Sequence, residues 1–220
     1  MELYQDKEAS YFSNTRLDLI SVLPEGKIER LLEVGAGSGD TLVEIKRRGL
    51  ANHVTGFELM KLPGTNQQNT AIDNFVHGDL EKINDELAGS LYDVIICGDV
   101  LEHLTDPWAI LEKLKRLLRP GGTFIISCPN VRHYSMFVAI FLKGSFAYTD
   151  FGILDKTHLR FFCKKDLLNM VTASGLKSQT AISTLKFYPK SITYVINMLT
   201  FRIFEQFLSK QYIITAKSKV

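Results

Sequence analysis

Glu33-Val34-Gly35-Ala36-Gly37-Ser38-Gly39 sets three glycines at alternate positions directly behind an apolar run, Ile28 to Val34. A helix-forming segment, Thr41–Arg48, follows at once. Glycines at such a bend let the backbone take positive φ and let a ligand approach where any Cβ would clash. Backbone N–H groups and the helix start then face a negatively charged group. A dinucleotide fingerprint reads G-x-G-x-x-G, its last glycine packing helix on strand. Here the order is G-x-G-x-G opened by the acidic Glu33, which disfavours a dehydrogenase.

A second set of residues suits proton transfer. His103, His133, Asp155 and His158 all lie on segments that leave the ends of strand-like runs. An imidazole oriented by a carboxylate is a sound general base, and Asp155 and His158, three apart, fit on one helical turn. The rival reading makes Asp155 and His158 loop-locking residues before the next helix, and His103 a helix-start residue bonded to backbone. His53 and His77 read as structural. No clustered His/Asp spacing suggests a metal, and none is expected.

The elements that must position these groups alternate. Strand candidates are Ile28–Val34, His53–Leu59, Asn74–Asp79, Tyr92–Val100 and Thr123–Pro129, several of them near-continuous apolar runs, as in strands covered on both faces. Helical patterns lie between them, at Thr41–Arg48 and Pro107–Leu118, the latter capped by Asp106 and stopped by Arg119-Pro120-Gly121-Gly122. A further helix, Lys164–Ala173, ends at Gly175, and Thr15–Leu23 reads as a short amphipathic helix laid on the sheet. Such alternation implies right-handed βαβ units and a Rossmann-like, doubly wound parallel sheet. Late strands Leu176–Ser183 and Gln211–Ser218 follow.

The glycine turn is joined by Gly56-Phe57-Glu58-Leu59, His77-Gly78-Asp79-Leu80, Cys97-Gly98-Asp99-Val100-Leu101-Glu102-His103 and Leu118-Arg119-Pro120-Gly121-Gly122. Over roughly residues 28 to 183 this order resembles the class I S-adenosylmethionine-dependent methyltransferases. The resemblance implies a seven-stranded sheet with an antiparallel last strand and S-adenosyl-L-methionine as cofactor. It places Gly35 and Gly37 at the methionyl part and Glu58 at the ribose, with Glu33, Ala36 and Leu59 also among the cofactor-binding residues. Asp79 then meets the adenine amino group, Leu80 packs on the ring, and Cys97 with Gly98 passes under the methyl group. The tract Gly152–Phe162 resembles one found in methyltransferases of glycan and polysaccharide assembly. Methyl transfer to a hydroxyl needs a base, so O-methylation of a small molecule or saccharide is expected, with His158, Asp155, His103 or His133 in that role. Two alternatives stand beside it: a lipid-linked or quinone-type acceptor met at a membrane surface, and a non-catalytic module that binds the cofactor.

Length and composition set the frame. The 220 residues favour one domain with a real core. It divides into an N-terminal helical segment (1–27), a cofactor-binding core (28–129) and two insertions (130–163 and 184–210). The 26 basic and 24 acidic residues are mixed along most of the chain and leave +2, which argues against nucleic acid. The polar N-terminus excludes a secretory signal. The three cysteines, Cys97, Cys128 and Cys163, lack C-x-x-C spacing and read as reduced, so a cytoplasmic location is expected. Both insertions are unusually apolar yet too short to span a bilayer. Each leaves the carboxyl end of a strand, on the acceptor side. A buried lid, a homodimer interface and a peripheral membrane contact all fit, with lid or dimer ahead of membrane.

Overall fold

The computed structural model describes residue 7, residues 9–82, residue 87 and residues 91–218. After two short helices, α1 (Ala9–Phe12) and α2 (Leu17–Ile20), come β1 (Ile28–Val34), α3 (Asp40–Arg47), β2 (Ala51–Glu58), β3 (Asn74–His77) and β4 (Tyr92–Gly98). Then follow α4 (Pro107–Lys115), β5 (Leu118–Pro129), α5 (Tyr134–Phe137), α6 (Lys164–Ala173) and β6 (Lys177–Ser183). The chain continues through α7 (Ile192–Leu199) and α8 (Glu205–Leu208) to β7 (Gln211–Lys217).

The seven strands form one sheet in the order β3-β2-β1-β4-β5-β7-β6. Strands β1 to β5 pair in parallel, and β7 runs antiparallel to both its neighbours. The expected doubly wound sheet with its antiparallel last strand is therefore present. Its two faces hold separate cores, because successive side chains of a strand point to opposite faces. In β4, Val94 and Ile96 join the cluster under α2 and α3, while Ile95 and Cys97 join the cluster under α4 and α6. Asp106 caps α4, accepting from Ala109 N at 3.0 Å, with Pro107 in the first turn.

Some boundaries differ from expectation. The helix expected at Pro107–Leu118 ends at Lys115, and β5 begins at Leu118, which pairs with Tyr92. The register then slips between Tyr92 and Val94, so Arg119–Gly122 is absorbed as a bulge, Gly121 at φ +74°. The helix expected over Thr15–Leu23 shrinks to α2, because Arg16 is non-helical (φ −79°, ψ 72°) and gives its N–H to Thr41 Oγ1 at 3.2 Å.

The insertions depart further. In 130–163, α5 runs on as a single π-helical turn, Val138–Leu142, before a loop pinned by bridges Thr149↔Asp155 and Asn130↔Phe162. In 184–210, α7 ends in a left-handed turn at Phe201 and Arg202 (φ +51° and +62°). The side chain of Asn130 ties this second insertion down, donating to the carbonyls of Gln206 and Ser209 at 2.8 Å each. Its apolar stripe is not buried: Ile192 is 76 % exposed, Leu199 74 % and Phe201 88 %. A buried lid is thus not what this segment forms. Among the described residues no helix is long and apolar enough to cross a membrane.

Candidate functional site

In an open α/β sheet, ligands bind outside the carboxyl ends of the strands where the chain direction of winding reverses. Here that point lies between β1 and β4. A cavity of about 1030 Å³ opens there, walled by the turns after β1 to β5, by the N-terminal segment and by the first insertion. Of the second insertion only Lys210 reaches it, beside Gln211 of β7.

The glycine turn forms one wall. Gly35 and Ala36 donate to the Phe57 carbonyl at 2.9 and 3.1 Å, which fastens the turn to the end of β2. Gly35 sits at φ +70°, and a Cβ there would lie 2.3 Å from Val100 Cγ2. At Gly37, φ +52°, a Cβ would lie 2.6 Å from the Phe12 carbonyl oxygen. Glu58 stands beneath the turn: one carboxyl oxygen accepts from Gly37 N at 2.8 Å, the other from Leu59 N and Met60 N at 2.8 and 3.2 Å. Burial raises its pKa against those three donors.

Glu33 is the more exposed to ligand chemistry although it is only 4 % accessible. Its Oε2 is buried without a hydrogen-bond partner, on the wall of the cavity. Burial drives its pKa up to about 8, with Arg16 and Thr41 opposing and Glu58 adding to the rise. A folded-state pKa above the unfolded value means stability that is full below about 4.5 and is lost as pH rises through about 8. Glu33→Gln should therefore gain in melting temperature relative to the unchanged chain as pH climbs from 5 to 8. A constant difference across that window would show that Glu33 titrates normally.

The remaining positions expected at the cofactor divide. Ala36, Leu59, Leu80 and Gly98 line the cavity. Asp79 lines it too, with its carboxylate taking Glu81 N at 3.0 Å and Lys82 Nζ at 3.0 Å. Burial works to raise its pKa, but those partners hold it below the usual carboxylate range. Cys97 is not on the wall: the alternation of β4 turns its thiol into the core, fully buried, where burial pushes its pKa up.

At the acceptor end, the expected pairing of His158 with Asp155 is absent. Residues 151–158 form turns rather than a helix. Asp155 instead binds Lys7 Nζ at 2.9 and 2.7 Å, and Thr157 through its N–H at 2.9 Å and its hydroxyl at 2.7 Å. His158 turns its Nδ1 to the Ile153 carbonyl at 2.9 Å, and its Nε2 lies 4.0 Å from Glu102 Oε1. His103 sits edge-on to His158, ring centroids 4.7 Å apart, with its Nδ1 3.1 Å from the Thr157 carbonyl. Burial and His158 push its pKa down to about 4. A carbonyl at Nδ1 in each ring fixes the tautomer that leaves Nε2 as an acceptor.

Glu102 completes this cluster. It is 1 % exposed, and its carboxyl group is buried against the Cys128 thiol. Burial, then the charge of Asp99, raises its pKa well above the ordinary carboxylate value. His133 stands apart from the cluster as a cap on α5, with its Nδ1 2.8 Å from Ser135 Oγ. Its Nε2 is buried without a partner, and burial pushes its pKa down to about 4.

Three cavity residues escaped the sequence reading: Arg16, Asp99 and Glu102. Arg16 grips Asp18 with two nitrogens, at 2.9 and 2.8 Å, and Asp99 with a third at 2.6 Å. Asp99 is held left-handed (φ +57°), bonded also to Ser127 Oγ at 3.1 Å and to Gln211. Burial opposes the charge on Arg16, but Asp99 and Asp18 more than offset it and its pKa is raised. Asp99 and Glu102 were visible beside Gly98 and His103. No local pattern marks Arg16.

A glycine turn with no room for a Cβ at Gly35 or Gly37, beside the buried Glu33 carboxyl and at the switch point of an open sheet, fits a nucleotide-cofactor enzyme. A family profile described as a methyltransferase domain matches residues 6–181. The chain belongs to that family: it is a class I S-adenosylmethionine-dependent methyltransferase. Among its relatives, the ubiquinone biosynthesis O-methyltransferase of Aeromonas salmonicida is 30 % identical over 166 residues, covering 73 % of this chain and 68 % of the relative. The Vibrio cholerae protein of the same description is 28 % identical over 173 residues, covering 76 % and 68 %.

Solved structures share the fold. The Burkholderia thailandensis 1,6-didemethyltoxoflavin-N1-methyltransferase, with 1,6-didemethyltoxoflavin and S-adenosylhomocysteine bound, aligns with TM-score 0.61 at 17 % identity, over 100 % of this chain and 82 % of that one. The N-methyltransferase NodS of Bradyrhizobium japonicum, in complex with S-adenosylhomocysteine, gives 0.58 at 13 %, over 98 % and 90 %.

Proposed function

We propose that this methyltransferase O-methylates a hydroxyl on an apolar, quinone-type small molecule met at an anionic membrane surface. The observation that carries the reading is a single cavity with a glycine cradle at one end and the Glu102–His103–His158 cluster at the other, beside strongly exposed apolar insertions. The relatives described as ubiquinone biosynthesis O-methyltransferases support the acceptor class. A saccharide acceptor, suggested by the Gly152–Phe162 tract, has no such support among them. Among the aromatic side chains of the first insertion, Tyr134 and Phe151 line the cavity, whereas Phe137, Phe146 and Tyr148 do not.

S-adenosylmethionine supplies a methyl group made electrophilic by its sulfonium. For this chain the proposal assigns Gly35, Ala36 and Gly37 to close backbone approach, Glu58 and Leu59 to the ribose, and Asp79 and Leu80 to the adenine. Glu33, with its unpartnered oxygen, suits the methionyl ammonium, and Arg16 suits the methionyl carboxylate. Methyl transfer is an in-line displacement, so the protein's work is to position the acceptor oxygen and exclude water. His158 and His103 offer Nε2 acceptors for the hydroxyl proton, and Glu102 lies 4.0 Å from Nε2 of the former. Asp155, occupied by Lys7 and Thr157, is removed from the bases, and His133 stands outside the cluster.

Charge supports the membrane part. Residues 130–163 carry four basic and two acidic side chains and 184–210 four basic and one acidic, together +5 against +2 for the whole chain. Exposed aromatic and aliphatic side chains rimmed by Lys and Arg are the composition of an interfacial segment. The chain should co-sediment with phosphatidylglycerol vesicles and not with neutral ones, and salt should release it. The double variant Leu199→Asp/Phe201→Asp should stay in the supernatant. A salt-insensitive dimer by sedimentation velocity, with no vesicle binding, would assign the face to a second copy instead.

A further inference from the structure

We infer that the N-terminal segment is a latch over the cofactor, and that Lys7 and Asp155 are positioning residues which couple cofactor retention to the geometry of the acceptor-side histidines. This rests on the cofactor placement proposed above. The segment bridges both ends of the cavity. At the cofactor end, Tyr11, Phe12, Asn14 and Arg16 line the wall, and the Phe12 carbonyl accepts from Ser38 N at 3.0 Å directly over Gly37. At the acceptor end, Lys7 Nζ binds both oxygens of Asp155 and also the Asp150 carbonyl. Its ammonium lies 4.3 Å from the Tyr11 ring centre, and the Tyr11 hydroxyl bonds Thr157.

These contacts form one continuous line. Lys7 holds Asp155, Asp155 holds Thr157 by two bonds, and the Thr157 carbonyl holds His103 Nδ1. The Lys7–Asp155 pair joins segments 148 residues apart, and neither side chain is accessible: 9 % for Lys7 and 2 % for Asp155. A pair so shielded loses far more on removal of one partner than a surface ion pair does. Burial works to raise the pKa of Asp155, yet Lys7 and Thr157 hold it low, so the carboxylate stays charged. A cofactor under Phe12 cannot leave until this segment lifts, and lifting it frees the loop that orients His103. Gated release of this kind commonly sets turnover.

The test is a double-mutant cycle on the dissociation rate of S-adenosylhomocysteine from the full chain, measured by stopped flow without any acceptor. Lys7→Met and Asp155→Asn should each speed release by about tenfold or more, and the double variant should be no faster than the faster single. Lys7→Met leaves Asp155 without its partner and should lower the melting temperature, so circular dichroism at the assay temperature is the control that the chain is still folded. Unchanged release rates, or effects that multiply in the double variant, would overturn the latch. Because no acceptor is present, failure of the base or acceptor assignment leaves this readout unaffected.

Discussion

His158→Ala, and separately His103→Ala, should lower kcat by about 10²–10⁴-fold while S-adenosylhomocysteine affinity stays near that of the unchanged chain, the usual worth of a general base. The expectation follows from placement. Both rings lie on the cavity wall away from the glycine turn, and each has its Nδ1 against a backbone carbonyl. A proton accepted by His158 arrives beside Glu102, whose pKa burial and the charge of Asp99 raise well above the ordinary value. Glu102→Gln should accordingly lower kcat as well, with little change in cofactor affinity. His133→Ala should have a smaller effect, through the cap of α5. Steady-state kinetics with calorimetry on the same preparations separates these cases. Full turnover in both His158→Ala and His103→Ala would return the pair to a structural role and leave the acceptor to be deprotonated elsewhere.

Gly37→Val should abolish cofactor binding, with a loss of affinity of at least about 100-fold. Any side chain at Gly37 must coexist with a carbonyl oxygen 2.6 Å from its Cβ, and its backbone is left-handed at φ +52°. A β-branched residue is the least tolerant of that conformation. The Gly37 N–H is also the donor that holds Glu58, so displacing it disturbs the proposed ribose acceptor at the same time. Gly49→Val is the control, because Gly49 is equally left-handed (φ +65°) with nothing within 4 Å of an added Cβ. Strain alone should cost stability there and spare the cofactor. Retained affinity in Gly37→Val would show that the turn does not meet the ligand closely.

The parts legible in the sequence were those governed by local pattern. Val94-Ile95-Ile96-Cys97 reads as a buried strand because both faces of β4 are covered, and the glycine turn reads as a ligand turn because its backbone demands glycine. What escaped depended on partners far along the chain. Asp155 and His158 are three apart, but Lys7, 148 residues upstream of Asp155, claims the carboxylate. Arg16 is held at the cavity by Asp99, 83 residues away. Cys97 shows a different loss: it was expected under the methyl group, but the alternation of β4 sends its thiol into the core and leaves Gly98 at the wall. For the insertion at 184–210 a lid, a dimer interface and a membrane contact all stayed open, because an apolar stripe reports hydrophobicity and not what covers it. The left-handed turn at Phe201 and Arg202 and the anchor on Asn130 fix where that stripe lies, and neither has a strong sequence signature.

The acceptor is tested most directly by following labelled methyl from S-adenosylmethionine in the presence of phosphatidylglycerol vesicles that carry an isoprenoid-tailed catechol, with soluble saccharides in the same reaction. Label is expected in the lipid phase as an aryl methyl ether, formed by the unchanged chain and lost in His158→Ala. Label recovered in a saccharide, or a lipid-phase product formed equally well by His158→Ala, would contradict this expectation.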